Sequence, residues 1–451
     1  MKSRALAITG IATGIGVVAI NFSILNTAFA TIQKEFSASI LELQWMLNIY
    51  GIFISVFLVT MGRLADTYGR RRLFLIGLAI AGLASLISGL SPAPSWIIVA
   101  QALQGIAGAI LLPVSQALIS HLYPDNQRSH AIGIWATIAG LLLGIGPPVG
   151  GIIIHTCGWR WIFLINIPVV IVGAFLILRH LKESKSKTNR GEIDIPGILV
   201  LTVAIGALIL AIVQGPQLGW SSHWDIMLFA AFLIAAFFLI LVERKARFPI
   251  IHPEFFLNRN FVFGSLANFC MIGFVWAMFF LLPLYFQTAR GDSPLLTGVV
   301  LLLVTGPLVL FSTAVGKLYG KIGARLPLII GFLLLILSVG VQFSLEKSSG
   351  IVLPMLACLT LGIGWVFIIG PSTTVAISAL SKDLAGVASG GFITIQEIGG
   401  SLGLAITGTV FRIVEPPFMQ GYRNAMWVLL AISILGLVAS LCLKTTRRRN
   451  P

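Results

Sequence analysis

The chain has 451 residues, of which 57% are hydrophobic and only 10% charged, with a formal net charge of +15 and a mean hydropathy of +0.99. So little charge over this length excludes a soluble globular domain and fits an all-α polytopic membrane protein. The excess of Lys and Arg lies in short loops between apolar runs rather than on one soluble face, which excludes a nucleic-acid partner and makes the lipid bilayer the first partner.

Windows of about 20 apolar residues place spans near 5–29, 41–61, 73–91, 95–119, 130–154 and 161–179. Two more fall near 196–214 and 225–243, and six follow near 261–287, 295–316, 326–345, 351–379, 386–411 and 423–443. About fourteen spans result, and an even count puts both termini on one side. Residues 1–30 begin basic and end in Ala28-Phe29-Ala30, imitating a cleavable signal peptide. Their apolar run is longer than the roughly 7–15 residues of such a segment, so it is expected to stay as the first helix.

The stretch between the second and third spans, Gly62–Phe74, reads GRLADTYGRRRLF. Its charge keeps it out of hydrocarbon, and Arg63, Arg70, Arg71 and Arg72 assign it to the cytoplasm. Gly62 and Gly69 are expected to allow tight turns, and Asp66 to pair with nearby arginines or accept from helix-terminal amides. Extended along the chain, this assignment collects 24 Lys and Arg inside against 6 outside (Lys34, Arg160, Arg290, Lys347, Arg412 and Arg423), with both termini cytoplasmic. Trp45, Trp96, Trp159, Trp161, Trp220, Trp224 and Trp427 fall near outer span ends, as an aromatic belt would.

The G-x-L-A-D-x-x-G-R-R pattern resembles the loop between the second and third spans of the major facilitator superfamily. The resemblance implies that Gly62, Asp66, Gly69, Arg70 and Arg71 form a cytoplasmic gate that latches two halves of a transporter. Gly316–Arg325 echoes Gly62–Arg71 about 250 residues later, with Gly320 at the place of Asp66. Such a parallel repeat makes two six-helix halves. The domains are then a half at 1–180, a basic linker with two inserted helices at 181–260, and a half with a basic tail at 261–451. This plan resembles that of the 14-span drug:proton antiporters.

Further motifs resemble that family. GLLLGIGPPVGG at Gly140–Gly151 is similar to the antiporter motif of the fifth span, carried by Gly144, Gly146, Pro147, Gly150 and Gly151. Its glycines permit close helix contact and its prolines deform the backbone, which a kinked packing helix would equally use. Trp159-Arg160-Trp161-Ile162-Phe163 with Asn166 and Pro168 is similar to the start of the sixth span, and Gln214-Gly215-Pro216 to the turn between the inserted spans.

Sorting the acids by depth leaves one in mid-span, Glu397, within TIQEIGGSLG. An ionisable group there costs about 2.5–3.5 kcal/mol on insertion scales and demands a reason. Desolvation disfavours its charged form, and it can hold a proton or face a cation but hardly both, which is the minimum machinery for exchanging protons against a cationic substrate. It resembles the acid-x-G of the thirteenth span of quaternary-ammonium exporters. The bland alternative is a Glu bonded to a neighbouring helix.

Two departures oppose simple proton coupling. Asn21 stands where the family's first span carries an Asp, and Gln101 where its fourth span carries an Arg. Replacing both members of a buried ion pair by amides strands no charge. The expected substrate cavity draws on Asn21, Asn26, Asn48, Gln101, Gln104, Asn268, Trp276, Trp365 and Gln396, the deep tryptophans being suited to stacking on a flat cation.

The scattered Cys157, Cys270, Cys358 and Cys442 and the six His form no metal spacing. No G-x-x-x-x-G-K-[ST] is present and no nucleophile or acid–base pair clusters at a face, so no cofactor, no metal, no ATPase and no enzyme is expected. A receptor-like scaffold would need a longer cytoplasmic segment. The expected function is export of hydrophobic or cationic small molecules from a bacterial inner membrane, coupled to protons through Glu397. The alternative is a facilitator or exporter of a lipid, siderophore or metabolite without classical proton coupling. The substrate, the oligomeric state and the part of a periplasmic adaptor in the export path stay open.

Overall fold

The computed structural model describes residues 2–123, 128–184, 194–246, 253–380, 385–414 and 417–444. Lys185, Lys187, Arg190, Arg247, Lys382 and the tail arginines 447–449, all counted in the charge tally, lie outside the described residues, as do Asp125, Glu192, Asp383 and Glu415.

Fourteen long helices follow one another among the described residues: α1 Lys2–Phe36, α2 Ile40–Tyr68, α3 Arg70–Gly89, α4 Pro94–His121, α5 Arg128–Cys157, α6 Trp161–His180, α7 Ile195–Leu218 and α8 His223–Lys245. Then come α9 Arg259–Ala289, α10 Pro294–Ile322, α11 Arg325–Phe343, α12 Val352–Ser378, α13 Ala385–Ile413 and α14 Phe418–Leu441. Thirteen are long and apolar enough to cross a membrane. The exception is α13, whose 29 residues are diluted by Gly, Ser, Thr and Glu397. The helix that carries the mid-span acid is thus the least oily one.

Helix starts follow local chemistry. Ser39 and Glu42 make a reciprocal capping box on α2, Ser222 caps α8, and Asn258 accepts the first free amides of α9. Between α2 and α3 a single residue turns the chain: Gly69, at φ +119°, where a side chain is strained. Gly62 is no turn residue. It lies inside α2, which runs seven residues past the predicted span because its polar end needs no hydrocarbon, and it faces Pro113 of α4.

The chain forms two compact units, residues 1–198 with 292–299 and residues 199–291 with 300–451. In the first, α1 packs on α4, α5 and α6, while α4 also carries α2 and α3. Its core joins Ala7, Ile11 and Ile15 of α1 to Phe74, Leu78 and Ala81 of α3 and to Ile110, Leu111 and Val114 of α4. In the second, α9 packs on α12, α13 and α14, and α11 on α12 and α14, repeating the internal plan of the first.

Helix α9 is apolar all round and buried nearly throughout, as a central helix should be. Helix α8 is equally apolar but exposes Ile226, Met227, Leu233, Phe237 and Phe238, a surface suited only to lipid. Trp96, Trp161, Trp220, Trp224 and Trp427 are exposed as belt residues are, whereas Trp159 is buried and does another job.

Candidate functional site

The charged turn of the first unit is tied together by a residue from outside it. Arg70 donates from Nε to Asp66 Oδ1 at 2.8 Å, one helical turn apart. The free amides at the start of α3 go to Glu183: Arg71 N–H donates to its Oε1 at 3.0 Å and Arg72 N–H to its Oε2 at 3.2 Å. Arg70 N–H donates to the Ser184 carbonyl at 3.0 Å, and the Arg71 guanidinium reaches the Leu178 carbonyl at 2.7 Å. A carboxylate bridging two N-terminal amides is favoured by hydrogen bonding and by the helix dipole. Asp66, expected to accept from such amides as well as to pair with arginine, pairs with Arg70; Glu183, three residues after the end of α6, takes the amides.

At the other ends of the same helices, Trp159 Nε1 donates to Glu35 Oε2 at 2.6 Å and Arg160 to Glu35 Oε1 at 2.5 Å. Arg160 also reaches the Ser91 carbonyl at 3.3 Å and lies 4.5 Å over the Trp159 ring. The Trp-Arg-Trp motif therefore clamps the end of α1 to the α3–α4 turn and to α6. The groups that meet are visible in the sequence as an acid at the end of the first span and the Trp159-Arg160 pair before the sixth.

The motif of α5 is a contact surface. Gly146 faces Ser23 of α1, Gly150 faces Ile24 and Thr27, and Gly144 and Pro147 are buried. Gly151 lies against the carbonyl of Pro294, leaving no room for a side chain. Proline at 147 and 148 withdraws two amide donors from the helix ladder at this seam.

Between α1 and α4 sits a charge-free amide pair. Asn21 Nδ2 donates to Gln101 Oε1 at 3.3 Å, so the two family departures are partners. Asn26 Nδ2 donates to the Phe22 carbonyl at 2.6 Å. The remaining amide atoms, Asn21 Oδ1, Asn26 Oδ1, Gln101 Nε2 and both Asn48 Nδ2 and Oδ1, are buried with no protein partner. Gln104 is different: its Nε2 donates to Ser85 Oγ at 3.0 Å, joining α4 to α3, and Asn166 meets the same hydroxyl.

In the second unit Glu397 is 7% exposed and accepts from Gln396 Nε2 at 3.3 Å. Thr394 and Ser401 lie on the same face of α13 at helical spacing, both fully buried with partnerless hydroxyl oxygens. The helix is held close to α9 by backbone contact: Gly399 faces Phe269, Gly403 faces Gly273, and Trp276 lies over Gly400. Trp365, 2% exposed, meets Phe279 edge-on at 6.1 Å and leaves its indole N–H without a partner. Asn268 donates to Ser372 Oγ at 3.0 Å, pinning α9 to α12. Arg412, at the other end of α13, donates to the Val213 carbonyl of α7, which attaches the inserted pair to this unit.

No cluster of three or more potential metal ligands occurs among the described residues. The arrangement is that of a transporter: buried polar groups on membrane helices, one acid in mid-helix among the described residues, and glycine seams between helices.

Comparison with known proteins agrees. The chain is 34% identical over 413 residues to the multidrug resistance protein Stp of Mycobacterium tuberculosis, covering 90% of this chain and 76% of that one. It is 31% identical over 401 residues to the tetracenomycin C resistance and export protein of Streptomyces glaucescens, covering 89% and 74%. The riboflavin transporter RibZ of Clostridioides difficile is 25% identical over 97% of each chain. Among solved structures, a bacterial homologue of the human lysosomal transporter Spinster, inward-facing and unoccupied, superimposes with TM-score 0.69 over 98% of this chain and 96% of that one, at 15% identity. The sequence signature of the Major Facilitator Superfamily matches residues 11–404, and the chain belongs to that family as a multi-pass membrane transporter, not an enzyme.

Proposed function

We propose that this protein exports hydrophobic, often cationic, small molecules by alternating access, with proton antiport through Glu397. The observation that carries the reading is the position of Glu397: a buried acid on α13, bonded to the neutral Gln396 and flanked by the glycine seam with α9. A carboxylate there is stable in the membrane when protonated or when facing a cation. Export then follows if each form favours a different state of the transporter, which requires differential affinity and nothing more. The names of the relatives, multidrug resistance and antibiotic export, support efflux as the direction. The loop of Gly62, Asp66, Gly69, Arg70 and Arg71 serves as the cytoplasmic latch in this reading, and both termini are inside. Tags on both ends should therefore report from the cytoplasm, and a periplasmic carboxyl terminus would sink the topology.

The test is proton release from purified protein in lightly buffered detergent on addition of tetraphenylphosphonium, wild type beside Glu397→Gln. Release in the wild type and none in the variant is the expected result. Cation binding without release, equal in both, would overturn proton coupling at Glu397. A second reading, export of a neutral metabolite without that coupling, is favoured by the Asn21–Gln101 amide pair and would then take its place.

A further inference from the structure

The second unit contains a cavity that proton coupling at Glu397 does not use. It has a volume of about 110 Å³ and lies between α10 and α12, with Ser312, Gly316 and Tyr319 on one side and Gly370, Pro371 and Thr374 on the other. A space of this size takes one small ring or an ammonium head with its methyl groups, since about 150 Å³ is enough for benzene. Glycine makes the room: a Cβ at Gly316 or Gly370 would meet no atom within 4 Å. In the first unit the corresponding seam, between α2 and α4, is shut, with Gly62 on Pro113 and Gly105 on the backbone of Tyr50. The cavity also lies at the depth of Glu397. Gly399 and Gly403 of α13 face Phe269 and Gly273 of α9, while Gly264 and Asn268 of α9 meet Ala376 and Ser372 of α12. Carried through these contacts, the level of Glu397 is that of Ala267 on α9 and of Thr373 on α12, next to Thr374 in the cavity wall.

The chemistry of the wall is one-sided. Ser312 Oγ donates to the Leu308 carbonyl, and Thr374 Oγ1 donates to the Gly370 carbonyl at 2.8 Å. Each hydroxyl thereby commits its single hydrogen to its own helix and has only lone pairs left to offer. Both residues are exposed, so an incoming group can reach them. No Lys, Arg, His, Asp or Glu is among the lining residues. Lys317 and Lys321, one turn apart, lie round α10 on the side away from Ser312, Gly316 and Tyr319. Lone pairs and an aromatic ring without a base complement a cation that carries an N–H, and offer nothing to a carboxylate or phosphate.

Resting on the exporter reading above, we propose that the cavity between α10 and α12 binds the protonated amine head of a lipophilic cargo. Ser312 Oγ and Thr374 Oγ1 accept from its N–H, Tyr319 supplies an aromatic surface for its charge, and the two glycines leave room for its alkyl groups. A quaternary ammonium fills much the same volume but brings no N–H. A site built to hydrogen-bond an N–H rejects the analogue that lacks it far more strongly than an apolar pocket rejects one extra methyl. The cargo class is therefore narrower than lipophilic cations at large: amines are taken before their N-methylated analogues.

The experiment titrates dimethyl(1-naphthylmethyl)amine, a cation at neutral pH, and its N-methyl quaternary analogue onto purified full-length protein in lipid nanodiscs, with empty nanodiscs as the blank. Wild type should bind the amine at least about tenfold more tightly, the worth of a hydrogen bond to a charged group. Ser312→Ala combined with Thr374→Val should bring that ratio close to one and leave binding of the quaternary compound unchanged. Gly316→Leu and Gly370→Leu fill the cavity and should each lose both compounds together. Neither should lower the melting temperature, because the added side chain starts in open space. The hydroxyl variant adds no volume and decides independently of the Leu variants. Equal binding of the two compounds by wild type means that the cavity takes any greasy group, a lipid tail included, and overturns the proposal. So does a ratio that survives the hydroxyl variant, or binding that survives both Leu variants. Glu397→Gln, run alongside with tetraphenylphosphonium, separates the two readings: it should keep the amine preference while losing cation-linked proton release. An amine preference in a wild type that releases no proton would defeat coupling at Glu397 and leave this site standing. Proton release without an amine preference would do the reverse.

Discussion

The two halves of the chain repeat one helix contact and put opposite chemistry beside it. In the first, Gly146 and Gly150 of α5 press on Ser23, Ile24 and Thr27 of α1. In the second, about 250 residues later as a parallel repeat requires, Gly399 and Gly403 of α13 press on Phe269 and Gly273 of α9. The seam is the same, but the polar groups near it are uncharged amides in the first half and a carboxylate in the second. Duplication preserved what backbone approach demands, small residues one turn apart. It left the buried side chains free to diverge, because a polar group in a membrane helix is kept only for a function or a partner.

The largest expected effect breaks the chemistry and leaves the seam. Glu397→Gln keeps shape and hydrogen bonding but removes the titrating group, so it should erase the linkage between proton and cation binding, a coupling of about 5–150-fold in most linked systems. Competition of phosphonium binding with pH measures it: affinity that still rises with pH in the variant would place the coupling elsewhere. The reverse exchange is as telling. Asn21→Asp restores an acid to the first half without the arginine partner and should lower the yield of folded protein, since it buries an unpaired charge.

Next come the seams themselves. A Cβ at Gly403 would meet the backbone of Gly273, whereas one at Gly146 would meet the Ser23 side chain, which can rotate away. Gly403→Ala should therefore cost about 1–3 kcal/mol, as overpacking does, and Gly146→Ala clearly less. Thermal unfolding in detergent ranks them. Gly140, with open space where its side chain would be, is the control and should accept Ala with a small gain in helix stability.

How far the sequence foretold this molecule depends on the physics of each feature. Helix number and boundaries were legible because hydrocarbon imposes length and composition, and α13 blurred because its glycines and Glu397 lower its apolarity. The repeat was legible through Gly62–Arg71 and Gly316–Arg325, and the turn glycines Gly69 and Gly323 both have positive φ. What a span's periodicity cannot give is which distant group satisfies which. Glu183 on the α3 amides, Glu35 under Trp159 and Arg160, and Arg412 on the Val213 carbonyl all join residues more than a hundred positions apart. Asn21 and Gln101 each stand out in the sequence as departures from the family pattern, and their hydrogen bond follows from the α1–α4 contact.

The smallest effect concerns the two turns, where the repeat is least symmetrical. Gly69 has the Glu183 carboxylate in the space a side chain would need, and Gly320, in the matching stretch of the second half, has nothing near it. Beside Gly320 the seam between α10 and α12 is open, with Gly316 and Gly370 lining a cavity with Tyr319, while Gly62 touches Pro113 in the first half. Among the described residues, a remote carboxylate, Glu183, holds the first turn. Glu183→Ala removes an acceptor from two amides at the start of α3 and should cost about 1 kcal/mol, the usual worth of a helix cap. Glu183→Gln keeps one acceptor oxygen and should cost less. The readout is hydrogen exchange at Arg71 and Arg72, which should quicken in Glu183→Ala while the α11 amides that follow Gly323 stay as they are. Equal quickening at both turns would mean that the carboxylate acts on the whole fold and not as a local latch.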